Sequence, residues 1–556
     1  MKKIIFLSSF CFFLQFSIAQ TTNYWIILKD KKDTPYSIHK PSEFLSEKAI
    51  ARRVKQHIAI NESDLPVNPS YLYTIQTAGV KILNVSKWMN AVSVTTTDVS
   101  KVERIKTLSF VKEVIEISIN NKLDHKFDRE QTTDVTTEKS TFKSASDLLN
   151  YGISSNQSRQ IGVNCLHNAG YQGQGMTIAV FDVGFFKVDS LPAFDTIRAN
   201  GQILGTHDFV AGGTSVYEDP THGMNTLSCM GGNLPGRLVG TAPKAKFWLL
   251  RTENEASESW QEEINWLSGA EFADSVGADI ISSSLGYSTG MTNPAEDHLF
   301  SEMDGNTTIV TKAADWAASK GIFVTSAAGN AGGPPWFKIT APGDADSILT
   351  VGAVDSMGVI ADFSSRGFTY DGRIKPNTVA QGVQAIVASP FGDVFGQNGT
   401  SFSTPITAGA VACLWQAHPA ATMMQLLFSI EESASQFYLP DSIKGYGIPN
   451  FCAADSILNY MGLGILVHQY SIDNLNAFPN PFNDQLQISF YSSAKELVEI
   501  VLIDVEGREI VRQIKSVNAN SNNTISINEL NKISKGVYIL RLVTAEKTFF
   551  KKIIKE

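Results

Sequence analysis

Thr177-Ile178-Ala179-Val180-Phe181-Asp182 is the stretch that decides the fold. A short apolar run ends on a carboxylate, with no polar alternation along it. Neither face of such a strand meets water, which is the pattern of a parallel sheet covered by helices on both sides. Ala278-Asp279-Ile280-Ile281 and Gly321-Ile322-Phe323-Val324-Thr325 repeat it downstream, with helical stretches between. Residues 149–465 therefore read as an α/β domain.

The flanks have a different texture. Upstream, Tyr24 to Leu28, Val80 to Val85, Ala91 to Thr95 and Val114 to Ile117 read as strands. Ser42 to Gln56 reads as a helix, and Val99, Val102, Ile105 and Leu108 recur as one buried helical face. That order is a ferredoxin-like α+β unit over 20–118. Residues 119–148 are rich in Lys, Asp, Thr and Ser and read as an exposed linker. Downstream of Ala477, Leu486, Ile488 and Phe490 alternate with polar residues. A turn at Glu506-Gly507 and another between Val543 and Phe549 separate further β-rich runs. Residues 475–556 read as a C-terminal β-sandwich.

The chain has 556 residues, 43% apolar and 18% charged, with a formal net charge of -9. That composition is globular, and its acidity excludes a nucleic-acid binder, which needs a basic stripe against phosphates. Lys2 and Lys3 precede an apolar run that closes on Ser17-Ile18-Ala19, the order of a secretory signal peptide over 1–19. Cys165, Cys229, Cys413 and Cys452 show no metal-binding spacing. Two disulfides and buried thiols both remain open for them.

Four residues carry the chemistry. Asp182 closes an apolar strand, at the edge where α/β enzymes build their sites. His222, in Thr221-His222-Gly223-Met224, offers an imidazole able to take and return a proton near neutral pH. Ser401, in Gly399-Thr400-Ser401-Phe402-Ser403-Thr404-Pro405, stands at the start of a buried helix, where donor amides favour negative charge. Asn330 ends Ala328-Gly329-Asn330 just after a strand, where its amide can donate to an oxyanion.

The order Asp, His, Ser, the His-Gly, the Gly-Asn and the Gly-Thr-Ser-x-x-x-Pro together resemble the subtilisin-like serine peptidases. Ser284-Leu285-Gly286, Phe363-Ser364-Ser365-Arg366-Gly367 and Lys375-Pro376-Asn377 add to the likeness. Val183 after Asp182, Met224 after Gly223 and Phe402-Ser403 after Ser401 depart from the commoner family residues, and none of them removes a reacting atom. The resemblance implies a catalytic triad of Asp182, His222 and Ser401 with Asn330 as oxyanion donor. It implies a peptide-binding cleft lined by Ser284, Leu285, Gly286, Ala327, Ala328 and Gly329, whose small residues suggest room for an apolar or aromatic side chain. The reaction needs no cofactor. Structural calcium is compatible with the family, but no loop has the EF-hand spacing, and no metal ligands are assigned.

By position, the 20–118 unit resembles the inhibitory propeptide that plugs such a cleft. Phe478-Pro479-Asn480-Pro481-Phe482, Asp504-Val505-Glu506-Gly507-Arg508 and Lys535-Gly536-Val537-Tyr538 resemble the type IX secretion sorting domain of Bacteroidetes. The expected protein is a secreted or cell-surface serine endopeptidase made as a zymogen. Its partners are protein or peptide substrates, its own propeptide and the secretion machinery. Two other readings compete. An inactive adhesin on a protease fold is disfavoured by the four intact positions. A serine esterase is disfavoured because Ser401 lacks a Gly-x-Ser-x-Gly elbow.

Overall fold

The computed structural model describes residues 21–117, 147–218, 220–462, 475–492, 494–504, 508–519, 521–528, 530–544 and 548–555. The chain separates into two compact units that divide near residue 460. The expected leader, nearly all of the expected linker and the Glu506-Gly507 turn lie outside the described residues.

The first unit opens with β1 (Thr22–Leu28), α1 (Glu47–Lys55), α2 (Pro69–Thr77), β2 (Lys81–Ser86), β3 (Ala91–Thr96), α3 (Val99–Lys106) and β4 (Val111–Ile117). The strands form an antiparallel sheet in the order β2-β3-β1-β4. Ile75 of α2 and Val102 and Ile105 of α3 pack on Tyr24, Ile26, Val92 and Val94. The crossover helix is thus α2 and not the helix expected over 42–56. Its signal was Asn68-Pro69: Asn68 accepts the Ser70 N–H as an N-cap, and Pro69 opens the helix. The expected helix exists as α1, but its buried residues are Ala49, Arg52 and Arg53, so it has no apolar stripe for its own sheet. Val99 stays 58% exposed. A spacing of three residues drifts off one face, because a turn takes 3.6.

The second sheet contains β5 (Thr177–Asp182), β6 (Ile203–Asp208), β7 (Lys246–Arg251), β8 (Ile280–Ser283), β9 (Phe323–Ala327), β10 (Leu349–Val354) and β11 (Thr378–Gln381). Its order is β11-β10-β9-β8-β5-β7-β6, and all six pairings are parallel. Every residue of β5, β8, β9, β10 and β11 is buried, as the unbroken apolar runs require. The helices that matter to the site are α4 (His222–Gly231), α5 (Trp260–Val276), α6 (Ile309–Ser319) and α7 (Thr400–Ala417). All but two residues of α7 are buried, so it runs through the core rather than over it.

The N-terminal sheet lies against α5 and α6. Asn84 Nδ2 donates to Asn265 Oδ1 at 2.7 Å, and Ser93 Oγ to Gln261 Oε1 at 2.9 Å. The Glu271 carboxylate accepts the N–H groups of Lys87 and Trp88 at 2.7 and 3.0 Å. Trp88 stacks on Trp316 with ring centroids 6.3 Å apart. The four cysteines divide between the two arrangements left open by the sequence, with one disulfide in place of two. Cys165 and Cys452 form a disulfide, while Cys229 and Cys413 are buried thiols.

The second unit holds β12 (Asn476–Phe478), β13 (Leu486–Ser492), β14 (Glu496–Asp504), β15 (Glu509–Val517), β16 (Ser521–Ile527), β17 (Gly536–Val543) and β18 (Thr548–Lys555). Two antiparallel sheets, β12-β13-β16 and β15-β14-β17-β18, share one core of Phe482, Ile488, Phe490, Ile500, Leu502, Leu540 and Leu542. The alternation of Leu486, Ile488 and Phe490 is the inward face of β13. Among the described residues no helix is long and apolar enough to cross a membrane.

Candidate active site

Asp182 is the last residue of β5 and is fully buried. A buried carboxylate must be paired or hydrogen-bonded to stay ionised. Its Oδ1 accepts the Val183 N–H at 2.9 Å and lies 2.6 Å from His222 Nδ1. Its Oδ2 accepts the Thr226 hydroxyl at 2.9 Å. An ionised carboxylate only accepts, so this pairing selects the imidazole tautomer with its proton on Nδ1 and leaves Nε2 unprotonated.

His222 is the first residue of α4, and Thr226 follows one turn later on the same face, so one helix supplies two of the three partners. The glycine after the histidine is a steric requirement. A Cβ at Gly223 would stand 2.2 Å from the Gly184 carbonyl oxygen and 2.9 Å from Asp182 Cβ. Only a residue without a side chain lets α4 approach the end of β5 this closely.

Ser401 is the second residue of α7, inside the first turn, whose N–H groups have no carbonyl four residues back. Its carbonyl accepts the Ser284 hydroxyl at 2.8 Å, and its own hydroxyl lies 3.5 Å from the Ser284 carbonyl. Phe402 carries the neighbourhood to His222, with ring centroids 6.1 Å apart. Asn330 Oδ1 accepts both the N–H and the hydroxyl of Thr400, each at 2.9 Å. With that oxygen engaged, the amide nitrogen is the end left to donate.

His222, Ser401 and Asn330 line one cavity of about 560 Å³, together with Ser284, Leu285, Gly286 and Gly329. Ala328 is not on its wall. It is fully buried, with its N–H given to Val351 of β10, while Ala327 on one side and Gly329 on the other do line the cavity. The wall is also more polar than the small residues suggest. Glu253, Glu255 and Glu258 line it, and among the described residues no Lys or Arg does.

Glu253, Glu258 and Glu262 present carboxylate oxygens within 4.8 Å of one another. Burial, then the Glu263 charge, pushes Glu258 up to about 8. Burial, then the charge of Glu258, raises Glu253 well above the carboxylate range, and Tyr287 donates its hydroxyl to it. Burial and the Glu253 charge raise Glu262. Three converging carboxylates are the hard oxygen donors that calcium takes, so these residues could hold a cation. The EF-hand spacing sought in the sequence does not find such a set, because its members come from a loop and the first turn of α5. His298 packs alongside, 2.6 Å from Glu263 and 3.1 Å from Glu302. Burial alone would lower it, but the two carboxylates outweigh that and hold it up at about 9.

Residues 173–447 match the family model of the subtilase family. Subtilisin from Bacillus pumilus is 31% identical over 311 residues, which cover 55% of this chain and 98% of that protein. Subtilisin E from Bacillus subtilis is also 31% identical over 311 residues, covering 70% of its length. The chain belongs to the subtilase family. Residues 23–135 match the Bacteroidota propeptide domain of peptidase S8, and residues 476–556 match a secretion system C-terminal sorting domain. This subtilase is therefore a serine endopeptidase with a propeptide ahead of its catalytic domain and a sorting domain behind it, destined for secretion or the outer surface.

Two predictions follow from the geometry of this subtilase. Gly223→Ala should lower kcat/KM at least about 100-fold while circular dichroism stays unchanged, since a 1 Å misplacement of a catalytic group has that effect; an alanine variant of normal activity would contradict the packing. The second concerns pH. Glu258 and His298 both have folded pKa values above their unfolded ones, so each stabilises the fold fully below its unfolded pKa. That stability is lost as pH rises through about 8 for Glu258 and about 9 for His298. The unfolding midpoint should fall between about pH 6.5 and 9, and Glu258→Gln should flatten the fall. Added calcium should raise the midpoint most at the alkaline end, where the carboxylates are ionised. A midpoint indifferent to pH, calcium and chelator would remove both readings.

Proposed function

We propose that this subtilase hydrolyses peptide bonds through Asp182, His222 and Ser401, by way of an acyl-enzyme on Ser401. The observation that carries the reading is the 2.6 Å pairing of His222 with a buried Asp182, in the cavity that Ser401 also lines. Ser401 Oγ attacks the scissile carbonyl as His222 Nε2 takes its proton. Electrons move to the carbonyl oxygen, and the oxyanion is met by the Asn330 amide and the N–H of Ser401. The proton on His222 then passes to the leaving amine as the C–N bond breaks. Water repeats the sequence on the ester and frees the acid. Asp182 keeps the imidazole in its Nδ1–H tautomer and stabilises the imidazolium; it does not itself become protonated.

The chain supplies all the reacting groups, so the reaction proceeds without a cofactor. Calcium is proposed only as a structural ion at Glu253, Glu258 and Glu262. The extended substrate would run along Ser284-Leu285-Gly286 and Gly329, in the manner of an added strand. The propeptide is proposed to keep the enzyme latent until it is cut between 119 and 148.

Kinetics on casein or a peptide test the roles. Asp182→Asn should lower kcat about 10⁴-fold. Asn330→Ala should lower it about 10²–10³-fold, the effect of removing one such donor from a subtilisin. Activity within a factor of a few of wild type would end the assignment for that residue. Ser401→Ala should accumulate a form that still carries residues 20 to about 140, and normal maturation without another protease would contradict self-processing. Removal of residues 475–556 should leave the enzyme in the periplasm, and unchanged export would refute the sorting role.

A further inference from the structure

The helix α1 belongs to the propeptide but does not pack on the propeptide's own core. It reaches the opposite edge of the catalytic sheet from the cleft. The parallel strands end at the site, and their N-terminal starts form the far edge. Three neighbouring starts meet α1. Lys48 Nζ donates to Thr177 Oγ1, at the start of β5, at 2.7 Å, and pairs with Asp279, just before β8, at 2.6 Å. Arg52 donates to the carbonyls of Ala278 at 2.6 Å and Lys320 at 3.2 Å. Gln56 Nε2 donates to the Gly321 carbonyl, just before β9, at 2.7 Å.

At the centre of the contact is Asp274, fully buried near the C-terminal end of α5. Arg52 and Arg53 reach its Oδ1 at 2.5 and 2.8 Å, and Lys87 reaches Oδ2 at 3.2 Å. Arg53 also pairs with Asp64 at 3.1 Å, and Lys320 of the catalytic domain pairs with Asp64 at 3.0 Å. Burial raises the Asp274 pKa, but Lys87, Arg52 and Arg53 outweigh it and hold the carboxyl low. The surfaces are shaped to one another. A Cβ at Gly277 would lie 2.8 Å from Lys48 Cβ and 2.9 Å from the Ala49 nitrogen.

Arg53 has one partner inside the propeptide, Asp64, but Lys48, Arg52 and Arg53 all find partners on the catalytic domain, where Asp279, Asp274 and the carbonyls of Ala278 and Lys320 accept them. We propose that the strand-start edge of the catalytic sheet is a second docking surface, remote from the cleft and built for the cationic helix α1. It keeps the propeptide seated after the linker has been cut. This rests on the assignment of residues 23–135 as a propeptide. The grip is divided between α5, through Gln261, Glu271 and Asp274, and the sheet edge, through Asp279 and the carbonyls of Ala278, Lys320 and Gly321. Loss of the α1 contacts loosens the propeptide without touching Asp182, His222 or Ser401.

The test uses the full chain with Ser401→Ala, cut between 118 and 146 by added trypsin. Dissociation of the two fragments is followed by native mass spectrometry after dilution. The fragments should stay together, and Arg52→Ala should speed their separation at least about tenfold, as expected for the loss of a charge-assisted hydrogen bond. Arg52 is buried, so that variant risks misfolding. Lys48→Ala with Gln56→Ala removes two partly exposed anchors and should give a smaller acceleration in the same direction. The same pair in the Ser401 enzyme should shorten the lag between linker cutting and full activity and leave the final kcat/KM unchanged. Release and lag equal to the parent's in the double variant would overturn the second surface. If propeptide loss brought no rise in activity, the propeptide reading would fall, and this inference with it.

Discussion

The candidate site is organised around one buried carboxylate. Asp182 stands where β5 leaves the sheet, with no water to solvate it, and an unpaired charge there would cost more than the fold could carry. The backbone after β5 and one turn of α4 provide the compensation. That need fixes where α4 begins, why a glycine follows His222, and which imidazole nitrogen is left to act. Ser401 comes to the same cavity by a separate route, because α7 runs through the core and begins at the cleft.

Much of this was legible in the sequence because it follows from local chemistry. An apolar run ending in Asp gave a central parallel strand and the position of its carboxylate. Small residues before Ser401 and an apolar run after it gave the start of a buried helix. Ser284, Leu285, Gly286 and Gly329 come to the cavity wall as the resemblance implied. Ala328 does not, because a strand end alternates its faces and pairing with β10 turns this residue inward. The acidic wall was missed for a different reason. Glu253, Glu255 and Glu258 come from the loop ahead of α5 and look like ordinary surface charges there, yet Glu253 is buried with the Tyr287 hydroxyl on it.

The N-terminal unit shows the same limit. Its strands are readable, but the pattern over 42–56 suggests the crossover helix where the structure has α1, since a sequence does not say which surface a helix serves. Arg52 and Arg53 on a helix suggest a solvated face. Here they are buried, because a carboxylate more than 200 residues away completes them. α2 was signalled by Asn68-Pro69 and passed over because its apolar pattern is weak.

The architecture then separates two tasks. In the proposed scheme bond cleavage takes place at the C-terminal ends of the strands, and the propeptide is held by α5, α6 and the strand starts. Maturation can therefore alter binding without disturbing the catalytic geometry. The account stands on the coupling of Asp182 and His222 to the Ser401 hydroxyl. Labelling of the mature enzyme with a fluorophosphonate, with the modified peptide located by mass, tests it most directly. The account predicts one adduct, on Ser401, formed far more slowly when His222 is alanine or Asp182 is asparagine. An adduct elsewhere, or equal labelling in all three proteins, would contradict it.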